Sequence, residues 1–200
     1  MVSSIATAAF ADTYDLNKGS VDILAEGGKQ YITQWQDESK GTFVQDENGK
    51  NIDHRPDDDI TLTTKDETTG EIKTTSNTVT ITAENKGDTA NVTLQNVDIE
   101  QPDSYWSSVP APIEIKGNGD TNLELNGNNT VLSGSREHAG IEKADVNGTG
   151  TLTIKDDVKE DTTGTLLAGG CGSGAGIGGG AYHDGKSYGH TSNITITGGD

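Results

Sequence analysis

The chain has 200 residues, a net charge of −18 and only two arginines, Arg55 and Arg136, which argues against a phosphate-binding surface and so against nucleic acid as a partner. Its single cysteine, Cys171, excludes an intramolecular disulfide. Val, Ile, Leu and Phe make up 37 residues, so the chain either stays unfolded or adopts a fold that needs few apolar residues per unit length.

The opening "MVSSIATAAFADTYD" is small and apolar and reaches Ala9-Phe10-Ala11, a small-x-small pattern that a signal peptidase accepts. Residues 1–11 therefore read as a signal-peptide remnant cleaved after Ala11, with the mature chain extracellular, secreted or cell-wall-associated. No other stretch is long enough to span a bilayer, so membrane insertion is not expected. Residues 12–75 read as an N-terminal cap with irregular first coils. Within them "SVDI" (20–23) and "ITL" (60–62) have strand character, while 46–59 and 65–75 are charged, turn-rich loops.

Residues 76–200 carry a repeat. After "TVTI" (78–81), one phrase recurs as "NVTL" (91–94), "NLEL" (122–125), "TLTI" (151–154) and "NITI" (193–196), at spacings of 31, 29 and 42 residues. Its second and fourth residues are always Val, Ile or Leu, as in a short strand with one buried face. A second phrase, "API" (111–113), "AGI" (139–141) and "AGI" (175–177), alternates with the first. Each repeat thus holds at least two short strands. The expected fold is all-β, a parallel β-helix (β-solenoid) with an irregular strand-rich N-terminal cap.

The run "GGCGSGAGIGGG" (169–180) contains Gly174, Gly176 and Gly179 in G-x-G-x-x-G spacing, and Gly180, Gly185, Lys186 and Ser187 satisfy a phosphate-loop pattern. Either loop needs a following helix to present its N-terminal amides. The downstream "AYHDGKSYGHTSNITITGG" has no helix-forming stretch, so the glycines are read as scaffolding around the strand at Ile177.

With these residues in view, "GAGIGGG" followed by "SNITITGG", and the earlier "LELNGNNTVLSG…AGI…GTGTLTI", resemble repeats of surface-exposed β-helix proteins of Gram-positive gut-type bacteria, described as carbohydrate-binding-domain proteins. The resemblance covers about residues 90–200 well and 12–80 loosely. It implies a right-handed parallel β-helix similar to that of pectate lyases, with acidic polysaccharide bound and calcium held between coils in some members. It also implies further glycine-rich coils, so that the solenoid is cut short at Asp200.

Three functions follow as expectations. The first is a non-catalytic polysaccharide-binding module, for an acidic plant or cell-wall glycan, with aromatic rings of Tyr105, Trp106, Tyr182 and Tyr188 in loops against the sugar. Turn carboxylates Asp98, Asp156 and Asp157 are the candidate calcium ligands, because stacked hard oxygens suit that ion; an amide ladder of ordinary turn formers is the alternative. The second is a structural or adhesive stalk. The third is a polysaccharide lyase using Arg136, Glu137, His138 and Lys143 around the Ile141 strand, although so few basic groups give a polyanion little support.

Overall fold

The computed structural model describes residues 12–104, 109–145, 148–156, 164–180 and 189–198. The molecule is all-β, built from three sheets whose strands are mostly parallel. From β7 (Val79–Ala83) onward the chain visits the sheets in rotation. β7 is followed by β8 (Thr89–Gln95) and β9 (Asp98–Glu100), then β10 (Ile113–Gly117), β11 (Asp120–Asn126) and β12 (Asn128–Leu132). β13 (Ile141–Glu142), β14 (Leu152–Lys155) and β15 (Thr165–Gly169) form the next turn, and β16 (Ile177–Gly178) and β17 (Ile194–Ile196) the last. Every third strand lands beside its predecessor, the order expected of a coil with three strands per turn. Successive rungs are about 4.8 Å apart.

Register follows the apolar phrases. Ile113 pairs with Ile141 and Ile141 with Ile177, so the second phrase is in register as spaced. Val92 and Leu94 pair with Leu123 and Leu125. At the next rung the spacing of 29 is corrected: Leu123 pairs with Ile154 and Thr121 with Leu152, a spacing of 31. The corner before the strand fixes this. Gly148 and Gly150 sit against Gly117 and Gly119 so closely that a Cβ on Gly150 would lie 1.6 Å from the Gly119 carbonyl oxygen. A two-residue slip keeps the same face inward, so the apolar pattern alone does not detect it.

The three-stranded sheet of β9, β12 and β15 lies where only turns were expected. Two of its strands begin with Asp98 and Asn128, residue types depleted in strands, and the corner chemistry permits them. Asn96 turns at φ 53° and Gly127, one rung on, at φ 64°. Asn129 is buried, accepting from the Val97 amide at 3.0 Å and donating to the Asn126, Gly127 and Thr165 carbonyls. The amide-ladder alternative is thereby visible, with Asn122 Nδ2 donating to Asn91 Oδ1 at 2.9 Å.

The core is a narrow column. Ile81, Leu94, Ile99, Ile113, Leu123, Leu125 and Ile141 are each fully buried within it, at roughly 1.5–3 kcal/mol per side chain. Few apolar residues per turn fill it, which reconciles the fold with the composition. At the N-terminal end β1 (Thr13–Asp15) and β6 (Ile60–Thr63) join the six-stranded sheet, and β2 (Ser20–Glu26) pairs parallel with β7. Residues 20–23, 60–62 and, from Val79, the phrase at 78–81 are thus strands as expected. β2 then turns back as an antiparallel hairpin into β3 (Lys29–Asp37), flanked by β4 (Thr42–Phe43) and β5 (Arg55–Pro56). Segments 46–59 and 65–75 are ordered by turns and short bridges.

Candidate functional site: an aromatic face on the hairpin

β3 reads KQYITQWQD, and its inward side chains are Gln30, Ile32 and Gln34, all buried. The two glutamines close the first rung. Gln30 donates to the Asp57 and Asn91 carbonyls and accepts from the Asn91 amide at 2.7 Å. Gln34 donates to the Asp15 and Gly19 carbonyls. Backbone groups that lack a neighbouring strand are thereby satisfied.

Strand alternation then directs Tyr31, Thr33 and Trp35 outward, and all three are half-buried. His54 stacks on Tyr31 with ring centroids 4.1 Å apart and planes 8° from parallel. Phe43, opposite Trp35 in register, lies with its ring centroid 4.6 Å away. The indole Nε1–H donates to Asp22 Oδ2 at 2.7 Å, which holds the ring orientation. The His54 amide donates to the Thr33 hydroxyl at 3.0 Å. Two aromatic pairs therefore flank a hydroxyl on one surface, about 13 Å apart along the strand. Flat rings with polar rims offer apolar area together with hydrogen bonding at one edge.

Sequence reasoning placed the aromatic site elsewhere. Tyr105, Trp106, Tyr182 and Tyr188 lie outside the described residues, as do Asp157 and residues 1–11. The signal for the hairpin face was present as "YITQWQ", two rings on one side of an alternating strand, inside a region assigned to the cap.

Asp98 and Asp156 are described and lie apart, Asp98 on the coil of β8 and Asp156 after β14, two rungs on. Asp98 Oδ2 accepts from the Thr74 hydroxyl at 2.7 Å, while its Oδ1 is buried without a hydrogen-bond partner. Asp156 Oδ2 accepts from the Gly164 amide at 3.0 Å. Among the described residues no three His, Cys, Asp or Glu side chains gather as a metal site.

The charged cluster considered for lyase chemistry is tied into the corner between β12 and β13. Glu142 Oε2 accepts from the Ala139 amide and lies 2.8 Å from His138 Nδ1. That hydrogen bond raises the His138 pKa against the opposing effect of burial. Lys143 is 2% exposed and donates to the Ser192 carbonyl at 2.9 Å. The glycine run packs over this corner. A Cβ on Gly174 would lie 2.1 Å from the His138 carbonyl oxygen, and one on Gly176 would lie 2.6 Å from that of Ala168. Close backbone approach accounts for these glycines without a phosphate. Lys143 is consequently unavailable to a polymer in solution.

A groove of about 370 Å³ opens beside β1, between Asp15, Asp46, Glu47, Arg55 and Glu67. Two of its acids, Asp15 and Asp46, serve local structure. Asp46 accepts from the Lys50 and Asn48 amides and pairs with Arg55 at 2.8 Å, and its pKa is lowered, chiefly by the Lys50 amide. Among the described residues no helix is long and apolar enough to cross a membrane.

No family model, curated protein or solved structure matches this chain.

Proposed function

We propose that this chain is a non-catalytic polysaccharide-binding module, working outside the cell, and that the outward face of β3 is its binding surface. The observation that carries the proposal is the two aromatic pairs at Tyr31 and Trp35, the first stacked and the second tilted by 31°, held on one strand and aimed away from the core. Ordered rings at fixed spacing suit a sugar polymer, because little side-chain entropy is lost when it binds. The resemblance to carbohydrate-binding-domain proteins, and with it membership of the β-helix class, supports the same function and is part of the proposal. Binding at this face requires no calcium ion, since its groups are rings, a hydroxyl and an indole already oriented by Asp22.

The test is glycan affinity electrophoresis of the full chain beside Tyr31→Ala and Trp35→Leu. Truncating a central aromatic anchor costs about 2 kcal/mol or more, close to a thirtyfold loss of affinity. Each variant is expected to lose glycan retardation to that degree while its melting temperature stays within a few degrees of the parent. Unchanged retardation in both variants would place binding elsewhere. No retardation of the parent by any glycan would favour the stalk.

A further inference from the structure

The charge pattern around the aromatic face selects the class of glycan. Resting on the binding function proposed above, we propose that the site takes an uncharged, linear polysaccharide laid along β3 and rejects uronate or sulfated chains.

Two of the hairpin's cations, Lys40 and Arg55, are held by carboxylates, and a third, Lys29, stands opposite one. Lys29 faces Glu26 across the hairpin register, and Lys40 is bound to Asp37. Arg55 pairs in register with Ile32, which places it on the opposite, inward side, where it holds Asp46 at 2.8 Å. Carboxylates meanwhile crowd the rings. Asp22 touches the Trp35 indole, Asp53 adjoins His54 in the chain, and Asp37 and Glu38 end the strand. A polyanion on these rings would meet the Asp22 carboxylate at the indole itself and further like charges beyond it, with Lys29, opposite Glu26, as the hairpin cation not held in an ion pair. A neutral sugar has no such cost and uses what the face offers: two aromatic pairs and the Thr33 hydroxyl. The separation of the pairs, about 13 Å along the strand, exceeds one sugar ring. The site therefore reads a chain of several sugars, not a terminal residue. Polygalacturonate, which the family resemblance would suggest, is on the wrong side of this charge balance.

Affinity electrophoresis of the full chain against hydroxyethyl cellulose and galactomannan as neutral probes, and polygalacturonate as the anionic probe, tests the assignment. Free glucose and mannose serve as competitors, and salt is varied from about 0.02 to 0.5 M. The expected result is retardation by at least one neutral polymer, unchanged by salt, unaffected by monosaccharide and lost in Trp35→Leu. Retardation by polygalacturonate that exceeds both neutral polymers and is lost in Trp35→Leu would overturn the neutral assignment while leaving the aromatic site in place. Polygalacturonate retardation that survives Trp35→Leu, or no retardation by either class, would remove the aromatic site and this assignment together.

Discussion

Glu142 is 6% exposed and faces Glu114 on the neighbouring rung, with His138 Nδ1 2.8 Å from its carboxylate. The His138 pKa is raised first by that hydrogen bond, with Coulombic support from Glu142, Glu114 and Glu137 against desolvation. A histidine whose native pKa is raised stabilises the fold fully at pH below its unfolded value. That contribution is lost as pH climbs through the higher native value. Urea midpoints between about pH 5 and 8 should therefore fall toward the alkaline end in the parent. In His138→Gln the fall should be flatter, with the larger loss of stability at low pH. A parent and variant differing by a constant offset across the range would show that the pair does not titrate in this way. In the sequence Arg136 and Lys143 flank the Ile141 strand with Glu137 and His138 beside them, which reads as a charged corner open to solvent. Lys143 is buried instead, its amide donating to the Gly178 carbonyl and its ammonium to that of Ser192, long-range contacts that chain order does not reveal.

At the scale of the element, strands in the two larger sheets were legible because Val, Ile and Leu alternate with Thr, Asn and Glu. The register at Leu152 and Ile154 was not, because apolar alternation is blind to a two-residue slip and the Gly117–Gly148 corner decides it. The three-stranded sheet was hidden by Asp98, Asn128 and Asn129, polar residues whose partners come from adjacent rungs. Rungs also differ in cover. Ile113, between β7 and β13, is fully buried, whereas Ile196 on the last rung is 60% exposed. Ile113→Ala should cost about 2–5 kcal/mol through lost transfer energy and an unfilled cavity. Ile196→Ala should change stability by no more than about 0.5 kcal/mol. Chemical denaturation of the two variants checks this, and equal costs would mean that the last rung is covered in solution.

For the whole molecule, an acidic chain poor in apolar residues folds because each turn of the coil needs only a few of them, and its neighbours complete the backbone hydrogen bonds. The hairpin sets β3 between β2 and the short strands β4 and β5 near one end of the eight-stranded sheet, with its inner side sealing the coil and its outer side bearing the rings. That division of labour was not legible in advance. "YITQWQ" sits in a region whose long charged loops suggested irregular structure, and aromatic candidates were sought in the loops around Trp106 instead. The chain holds only two tryptophans, Trp35 and Trp106, so its indole N–H spectrum separates the two locations directly. Titrating the full chain with a neutral oligosaccharide, using Trp35→Phe to assign the signals, should shift the Trp35 indole resonance and leave that of Trp106 in place. A shift of Trp106 alone would contradict binding at the hairpin face.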